Sequence, residues 1–389
     1  MSTPAPLHLA DIVIVGAGLV GAAFALALAD SGRKVLLIDG EQPHARFNDP
    51  RSLALSHGSR LILERLGVWS GVAPVSSIDS IHISQRGGFG RTLLSAAEAR
   101  VPALGYVVPY ASIQRALSSA LQRASYATVI SGATATAIEA HATEVDVALR
   151  SDDVPMHARG ALAVVADGGA LAREVAAVDV REYAQSAVVA NVATTRAHQH
   201  RAYERFTPTG PIALLPRERG YAMIWTLPHD EAQRICALPR SAFLAALQAA
   251  FGERAGRFVD ADKPVTFALS LRVAQATRTA RTVLLGNAAQ TLHPVAGQGL
   301  NVGLRDAWAL AHCLREATAD IGSGALIKSF EQRRRGDRAG AIFVTDALIN
   351  LFSSDHLALR WLRGCGLTFL DCVPPAKRLF MSRMNFGPP

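Results

Sequence analysis

The sequence predicts an α/β fold in which helices cover a parallel sheet. Residues 11–15 form a short β-branched run, which is typical of a buried parallel strand, and this run leads directly into a glycine-rich turn. We expect an Ala- and Leu-rich helix over 22–31 with Gly32 as its C-cap, followed by a second strand over 34–38. Strand, helix and strand in this order make a βαβ unit.

The composition is that of a compact globular protein. Of the 389 residues, 50% are hydrophobic and 19% are charged, which excludes a disordered or collagen-like chain. The length predicts two lobes or one large interwoven unit. The net charge of +8 would suit nucleic acid, an anionic membrane surface or a phosphate-bearing cofactor. The basic residues include a run of arginines at 333–335 but no stripe interleaved with stacking aromatics, so we do not expect nucleic acid as a partner.

The four cysteines do not indicate a metal site or a redox pair. Cys236, Cys313, Cys365 and Cys372 lack Cys-x-x-Cys spacing and a nearby His pair, so we expect reduced, mostly buried thiols. The N-terminus lacks the pattern of a signal peptide, and no apolar run reaches the roughly 18 to 20 residues of a spanning helix. We therefore expect a cytoplasmic protein that meets a membrane, if at all, at its surface.

The turn after the first strand has the glycine spacing of a dinucleotide-binding loop. Gly16 allows a tight turn, Gly18 leaves the backbone bare for a pyrophosphate, and Gly21 lets the helix pack closely on the strand. The N-terminus of the helix would hold the anion. Asp39, about twenty residues further on, can accept hydrogen bonds from an adenosine ribose. Because strands and acid accompany the glycines, FAD or NAD is favoured over a chance glycine turn.

Two later segments also join an apolar run to a polar turn. Residues 163–165 lead into Asp167 and Gly168, a turn that would offer a carboxylate to a cofactor or simply lie on the surface. Residues 282–285 lead into a glycine-rich segment over 286–303, which is the most informative part of the chain.

The polar groups of this third segment suit a flat ligand. Asn287 can reach sugar hydroxyls, while Gly297, Gln298 and Gly299 bring backbone N–H groups close. A helix starts here, so its positive end would face the ligand. A reduced flavin is an anion along one edge of its ring, and a helix start stabilises that charge. The alternative is a glycine-rich loop that only packs tightly.

The three segments, in this order, resemble the class A flavoprotein monooxygenases of the para-hydroxybenzoate hydroxylase type, and among them the ubiquinone-biosynthesis hydroxylases. Further matching stretches lie at 51–56, 66–69, 183–185, 204–207, 210–216, 330–335, 345–346, 351–352 and 374–378. The resemblance therefore extends over nearly the whole chain. Where family members commonly carry Gly-Asp and Ala-His, this chain has Gly286-Asn287 and a run ending in His293 and Pro294. This variant resembles the 2-polyprenyl-6-methoxyphenol hydroxylase branch.

The resemblance implies an FAD/NAD(P)-binding Rossmann-like domain, an interleaved antiparallel-sheet substrate domain and a helical C-terminal region. We assign 1–75, 111–180 and 276–330 to the FAD-binding domain, 76–110 and 181–275 to the substrate-binding sheet domain, and 331–389 to the helical region. Alternating runs such as 186–192 and 221–227 predict the antiparallel strands that would cover the substrate.

The resemblance also implies which residues hold FAD. Gly16, Gly18, Gly21 and Asp39 would hold its ADP half, Gln114 the flavin chain, Asp167 with Gly168 the FAD and the nicotinamide together, Asn287 the ribityl chain, and Pro294, Gly297, Gln298, Gly299, Leu300 and Asn301 the isoalloxazine edge. Arg51 would lie near the flavin and the substrate. Arg51 and His293 are the candidates for a catalytic role, and the sequence identifies no base.

The implied reaction is the hydroxylation of a polyprenylated methoxyphenol to the 1,4-benzoquinol in ubiquinone biosynthesis, through a flavin C4a-hydroperoxide formed with O2. NADH or NADPH would be the reductant. The family usually has a Ser and often an Arg where this chain has Leu171 and Glu174, so the choice between the two stays open. The alternatives are a sister hydroxylase acting at another ring carbon and a non-catalytic flavin-bearing subunit of a ubiquinone-biosynthesis assembly.

The C-terminal region carries one further expectation. Residues 361–380 mix Leu, Phe, Trp and Cys with basic side chains. Together with a polyprenyl substrate, this composition indicates peripheral contact with the inner face of a membrane or with other ubiquinone-biosynthesis proteins. An ordinary core helix that closes the fold is the alternative.

Overall fold

The computed structural model describes residues 6–292, 297–352 and 357–387, and His293 and Pro294 therefore lie outside the described residues. The strands are β1 (Leu7–Leu9), β2 (Ile12–Val15), β3 (Val35–Asp39), β4 (Ser52–Ser56), β5 (Ser76–Ile78), β6 (Ser80–Gln85), β7 (Arg91–Ser95), β8 (Gly105–Pro109), β9 (Ala127–Ser131), β10 (Thr134–Ala140), β11 (Val145–Ser151), β12 (Val154–Gly160), β13 (Leu162–Val165), β14 (Val178–Thr194), β15 (Arg201–Thr207), β16 (Gly210–Pro216), β17 (Tyr221–Pro228), β18 (Phe258–Ala261), β19 (Val265–Ala274), β20 (Arg278–Thr279), β21 (Thr282–Leu284) and β22 (Gln290–Thr291). The α-helices are α1 (Leu19–Leu26), α2 (His57–Arg65), α3 (Ala96–Ala99), α4 (Tyr110–Gln122), α5 (Ala172–Val175), α6 (His229–Cys236), α7 (Arg240–Phe251), α8 (Gln298–Glu316), α9 (Gly324–Phe352), α10 (Leu357–Cys372) and α11 (Pro374–Phe386).

The βαβ unit predicted at the N-terminus is present as β2, α1 and β3. The two strands are parallel, with Val15 paired to Ile38. The predicted helix boundaries were wrong, because α1 already begins at Leu19, directly after the extended N-cap residue Gly18, and ends at Leu26. A short 3-10 turn follows, and Gly32 closes it with a φ of +67°, as expected for a glycine C-cap.

A six-stranded sheet in the order β20-β21-β13-β2-β3-β9 forms the centre of the N-terminal fold. All of its pairs are parallel except β20 with β21. Alternation along β2 divides its side chains between two cores. Ile12 and Ile14 pack with helices α1, α4 and α8. Val13 and Val15 pack with a second, four-stranded sheet in the order β1-β12-β11-β10.

A second large sheet contains nine strands, with β18 paired to β14 and the others in the order β22-β19-β14-β17-β16-β15-β6-β7. The two alternating runs predicted as antiparallel strands lie in β14 and β17, which pair from Ser186 with Leu227 to Val192 with Tyr221. The expectation of a purely antiparallel sheet was wrong for one pair, since β15 and β6 are parallel. The chain passes through the other sheets between these strands, so no hairpin turn fixes their direction.

One face of this sheet is covered by two helices that the sequence analysis did not predict. Residues of β14, β16 and β17 such as Val188, Leu214 and Met223 are buried there against Phe243 and Leu247 of α7 and against α6. The alternate residues of the same strands face the opposite way. The predicted domain ranges stay a prediction. Strand β4 pairs with β8, and β22 pairs with β19, so the sheets connect segments that were assigned to different domains.

The basic run at 333–335 takes part in a buried ion network between α8 and α9. Asp306 of α8 is 0% exposed and accepts hydrogen bonds from Nε of Arg334 at 2.6 Å and from Nε of Arg338 at 2.9 Å. Asp337 of α9 accepts from Nε of Arg305 at 2.7 Å and also pairs with Arg334. Burial alone would raise the pKa of Asp337, but the hydrogen bonds and charges of the two arginines lower it below its ordinary value.

The C-terminal region is helical, as predicted, although α9 begins earlier than the expected boundary at 331. All four cysteines are free. The expectation of mostly buried thiols was wrong for Cys365 and Cys372, which are exposed on α10.

We predict that Asp306→Asn lowers the free energy of unfolding by about 3 to 5 kcal/mol, because it leaves two buried guanidinium groups without their shared counter-charge. Urea unfolding of the protein measures this loss. The matched control is Glu316→Gln, which removes an exposed partner of His312 on the same helix and should cost at most about 1 kcal/mol. Equal losses in the two variants would contradict the structural role of the network.

Candidate active site

The loops that follow four neighbouring strands meet at one edge of the six-stranded sheet. Strands β3, β2, β13 and β21 are adjacent and parallel, so their carboxyl ends lie side by side. Gly16 follows β2, Asp39 ends β3, Asp167 follows β13, and Asn287 follows β21. Ligands of open α/β sheets bind in the crevice outside the carboxyl ends of the strands. The three segments found in the sequence are thus brought together.

The glycine loop is held by very close packing. Gly16 has a φ of +101°, and a Cβ atom added there would lie 2.5 Å from the carbonyl oxygen of Ala166. A Cβ atom added at Gly21 would overlap the carbonyl oxygen of Gly16. Gly18 is the N-cap of α1 and provides no side-chain cap, which leaves the first N–H groups of the helix to a ligand.

Two side chains fasten this loop from neighbouring elements. The buried Asp39 accepts hydrogen bonds from the backbone N–H of Ala17 at 2.8 Å and of Glu41 at 3.0 Å. Gln114 of α4 donates from Nε2 to the carbonyl oxygen of Ala17 at 3.1 Å. Oε1 of Gln114 is buried without a hydrogen-bond partner among the described residues, so it can accept a hydrogen bond from a ligand.

The turn after β13 uses its own carboxylate. The two oxygens of Asp167 accept hydrogen bonds from the backbone N–H of Gly169 at 2.8 Å and of Leu171 at 2.6 Å. Leu171, where the resemblance led us to expect a Ser, is buried in the core between the six- and four-stranded sheets. Arg173 and Glu174 lie on the exposed surface of α5.

The start of α8 is clamped to strand β4 by a single amide. The side chain of Asn301 accepts from the backbone N–H of Ser56 at 2.8 Å and donates to the carbonyl oxygens of Ala54 at 3.1 Å and Gly297 at 2.7 Å. This side chain is therefore occupied within the protein. Gly297, the N-cap of α8, has a φ of +60° and provides no side-chain cap, so no N-cap side chain occupies the first backbone N–H groups of the helix.

Arg51 lies at the edge of the site, where its guanidinium group forms a salt bridge. Its Nε donates to both carboxylate oxygens of Asp49, at 2.9 and 3.0 Å. The guanidinium carbon also lies 5.0 Å from the ring centre of Tyr110 and 5.9 Å from that of Phe267. These contacts orient Arg51 beside two aromatic rings that line the same cavity as the loops.

A single cavity of about 1170 Å³ joins the converging loops to the large sheet. The predicted site residues that line it are Gly18, Arg51, Asp167, Gly168, Asn287, Gly297, Gln298, Gly299, Leu300 and Asn301. Gly16, Gly21, Asp39 and Gln114 support this lining through the contacts described above. A second wall is the sheet face opposite α6 and α7, with Ile81, Ile83, Val189, Ala213, Leu215 and Ile224. A third wall comes from α10 and α11, with Leu362, Leu367, Leu370, Met381 and Met384.

Glu204 is a cavity residue that the sequence analysis named only within a matching stretch. It lies on β15 between Ile83 of β6 and Ala213 of β16, and its Oε1 atom is buried without a hydrogen-bond partner among the described residues. Burial raises the pKa of Glu204 to about 7. The signal in the sequence was an acid at the inward position of an alternating strand, between Ala202 and Phe206.

His57 and His82 do not belong to the cavity lining. Nδ1 of His57 lies 3.4 Å from the hydroxyl of Tyr106, and burial together with the charge of Arg60 lowers the pKa of His57. Burial and the nearby guanidinium of Arg254 lower the pKa of His82 to about 4. Both imidazoles are therefore expected to be neutral near pH 7.

The residues present fit FAD, and the site as a whole defines a flavoenzyme with a large apolar substrate cavity. Two helix starts without side-chain caps face the converging loops, and the buried Oε1 atom of Gln114 can accept a hydrogen bond from a ligand. The chain belongs to the family of the FAD binding domain, which matches residues 9–342. It is similar over most of its length to named hydroxylases and to solved structures of the same fold.

Two relatives and one structure illustrate this similarity. The chain is 36% identical over 383 residues to the ubiquinone hydroxylase UbiL of Rhodospirillum rubrum, covering 96% of this chain and 88% of the relative. It is 32% identical over 389 residues to the 3-demethoxyubiquinol 3-hydroxylase of Escherichia coli, covering 95% and 96%. The crystal structure of p-nitrophenol 4-monooxygenase PnpA from Pseudomonas putida DLL-E4 superimposes with a TM-score of 0.80 at 16% identity, covering 98% and 99%.

These comparisons confirm the predicted fold of the para-hydroxybenzoate hydroxylase type and the predicted class of enzyme. The protein is an FAD-dependent monooxygenase of the aromatic hydroxylase class, with FAD as cofactor and O2 as co-substrate. A reduced nicotinamide is the reductant typical of this family.

We predict that Gly21→Ala weakens FAD binding by at least about tenfold, or about 1.4 kcal/mol, because the added methyl group displaces the loop at Gly16. Flavin fluorescence during titration of the apoprotein measures the dissociation constant. Gly336→Ala is the matched control, since a methyl group at this exposed helical position meets no atom within 4 Å. Wild-type affinity in Gly21→Ala would contradict the assignment of the loop.

Proposed function

We propose that this enzyme hydroxylates a polyprenylated methoxyphenol in ubiquinone biosynthesis, giving the 1,4-benzoquinol. The observation that carries the proposal is the single cavity that joins the cofactor loops to an apolar sheet face and to the apolar sides of α10 and α11. The bound flavin would supply activated oxygen from O2 after reduction by a nicotinamide. The names of the two relatives, both concerned with ubiquinone or its precursors, support this class of substrate.

The cavity has the size and polarity for a ring with an isoprenoid tail. Its volume of about 1170 Å³ exceeds the roughly 300 to 1,000 Å³ of ordinary ligand pockets, which leaves room for the tail besides the ring and the flavin. Apolar side chains from β6, β14, β16 and β17 line one wall, and the Leu and Met residues of α10 and α11 line another. Such walls suit a long hydrocarbon chain and exclude water from the reacting ring.

We also propose the residues that hold FAD. The backbone around Gly16, Gly18 and Gly21 would take the pyrophosphate at the start of α1, and Asp39 would take the adenosine ribose. Gln114 would contact the chain of the cofactor through its buried Oε1 atom. The backbone N–H groups of Gly299 and Leu300, rather than the occupied side chain of Asn301, would stabilise negative charge at the flavin edge.

We predict that the FAD-loaded protein converts a short-chain prenylated methoxyphenol to its hydroxylated product only when a nicotinamide and O2 are both present. Product analysis by mass spectrometry and NMR identifies the hydroxylated ring carbon, and parallel assays with NADH and NADPH identify the reductant. Hydroxylation at a different carbon would support the sister activity. If neither nicotinamide oxidation nor product is detected, even after partner proteins are added, the result would support the non-catalytic subunit.

We further propose that α10 brings the protein to the inner surface of a membrane. Within the described part of the chain, no helix combines the length and the apolar character needed to cross a bilayer. On α10, however, Trp361, Leu362 and Phe369 are 64%, 60% and 59% exposed, and the ring of Phe89 packs against Trp361 at a tilt of 55° with ring centres 4.8 Å apart. Leu362 also lines the cavity, so this apolar surface is continuous with the cavity wall. A substrate with an isoprenoid tail would be reached from the lipid there.

We predict that Trp361→Ser weakens binding to vesicles of phosphatidylcholine and phosphatidylglycerol by about tenfold, because inserting a large apolar side chain contributes roughly 1.5 kcal/mol. Vesicle flotation measures the bound fraction. The matched control is Val259→Ser, which changes a residue that is 53% exposed on β18, toward the other end of the large sheet. Unchanged vesicle binding in Trp361→Ser would contradict this proposal and would favour a protein partner for the surface.

A further inference from the structure

The wall of the cavity contains one carboxyl group without a partner. Glu204 lies in the middle of β15, and the residues opposite it in the two neighbouring strands are Ile83 and Ala213. Its Oε1 atom is buried and has no hydrogen-bond partner among the described residues. An unpaired buried acid destabilises the folded protein, so its presence in a cavity is a mark of function.

The pKa of the Glu204 carboxyl group is raised because the group is shielded from water. Burial raises the pKa of Glu204 from 4.5 to about 7, and no charged neighbour contributes to the shift. The other titratable side chains that line the cavity are Arg51, Tyr110, Asp167, Tyr203, Asp262, Lys263 and Arg363. Arg363 extends from α10, which supplies the third wall, whereas the strands on either side of β15 place no charge opposite Glu204.

The proposed substrate brings the group that this acid lacks. A phenol has a hydroxyl donor, and hydroxylation of its ring is helped when the hydroxyl loses its proton, because the phenolate pushes electrons into the ring. An ordinary carboxylate with a pKa of about 4.3 is a poor base for a phenol of pKa about 10, and a pKa nearer the operating pH reduces this mismatch. His57 and His82 do not line the cavity, so neither is placed to do the same.

Resting on the proposed function, we infer that Glu204 is the catalytic base that takes the proton of the substrate's phenol hydroxyl. The phenol O–H bond breaks, its electron pair stays on the phenol oxygen, and the proton forms an O–H bond with a carboxylate oxygen of Glu204. No oxidant or reductant takes part in this transfer, and the total charge is unchanged. Glu204 returns the proton to the same oxygen when the product regains its aromatic hydroxyl.

The first test compares Glu204→Gln and Glu204→Asp with the wild-type FAD-loaded enzyme. Because the base must be deprotonated, kcat/KM of the wild type should rise with pH up to about 7 and then level off. Glu204→Gln keeps an acceptor of similar shape but no base, so kcat/KM should fall by about 10² to 10⁴-fold, mainly through kcat, and the limb near pH 7 should vanish. Glu204→Asp should restore part of the rate and the limb.

Two controls separate this role from a structural one. Glu182→Gln, at an exposed position of β14, should keep the wild-type rate and pH profile. Glu204→Gln should keep the wild-type flavin content and thermal stability, since it removes a buried, unpaired charge. A Glu204→Gln enzyme with wild-type kcat/KM and an unchanged pH profile would overturn the inference.

A binding measurement tests the same contact without turnover. The oxidised, FAD-loaded enzyme is titrated with a short-chain prenylated methoxyphenol and with its methyl ether, which has no hydroxyl donor. The wild type should bind the phenol more tightly than the methyl ether. In Glu204→Leu the ratio of the two dissociation constants should be smaller by at least about tenfold. An equal preference in both proteins would overturn the inference. Failure of the wild type to make product would instead count against the proposed function, and the binding preference would still decide whether Glu204 meets a phenol.

Discussion

The parallel direction of four adjacent strands is the constraint on which the rest of this structure depends. Because β21, β13, β2 and β3 run the same way, the turns after them meet at one edge, although the chain separates them by long stretches of sequence. The close approach of Gly21 to Gly16 then lets α1 begin at the loop itself. A side chain at either glycine would separate the helix start from the strand, and the anion site would be lost.

The position of α8 depends on contacts at its first residues and on contacts further along the helix. At its start, Asn301 ties the helix to β4 through two hydrogen bonds, and a third bonds the N-cap residue Gly297. Further along, Arg305 and Asp306 enter the buried ion network with α9. Buried ion pairs contribute little net stability, but each buried charge must stay next to its partner. The pairs therefore restrict how α8 and α9 can lie against each other. The network therefore fixes the helix start that faces the cavity.

Local patterns predicted the parts of the site that local sequence determines. The glycine spacing, the acid at the end of β3 and the C-cap at Gly32 each follow from a few neighbouring residues, and the structure has them where they were expected. The start of α1, the parallel pairing of β6 with β15 and the helices α6 and α7 were missed or misplaced. These features depend on packing between distant segments, which a periodicity does not report.

The same limit applies to single side chains. Asp167 and Asn301 were identified as cofactor residues through the family resemblance, but the structure shows that backbone groups of their own loops and of β4 occupy their side chains. Conversely, nothing in the composition of β15 shows that Glu204 has no partner. A hydrogen-bond partner is a property of the folded chain, so the sequence could place these residues but could not say which of them remain available to a ligand.

The buried carboxyl groups of this protein differ in whether they have a counter-charge. Asp306 and Asp337 are each surrounded by two arginines, so the fold provides counter-charges where a carboxylate only has to be stable. Glu204 is half-buried in the same chain, and its buried Oε1 atom has no counter-charge beside a cavity with apolar walls. A missing counter-charge costs stability in the free enzyme, and that cost is recovered only when something enters the cavity with a hydrogen to donate. On the proposed function, the unsatisfied acid would favour a substrate with a hydroxyl group, and the apolar walls around it would favour a hydrocarbon tail.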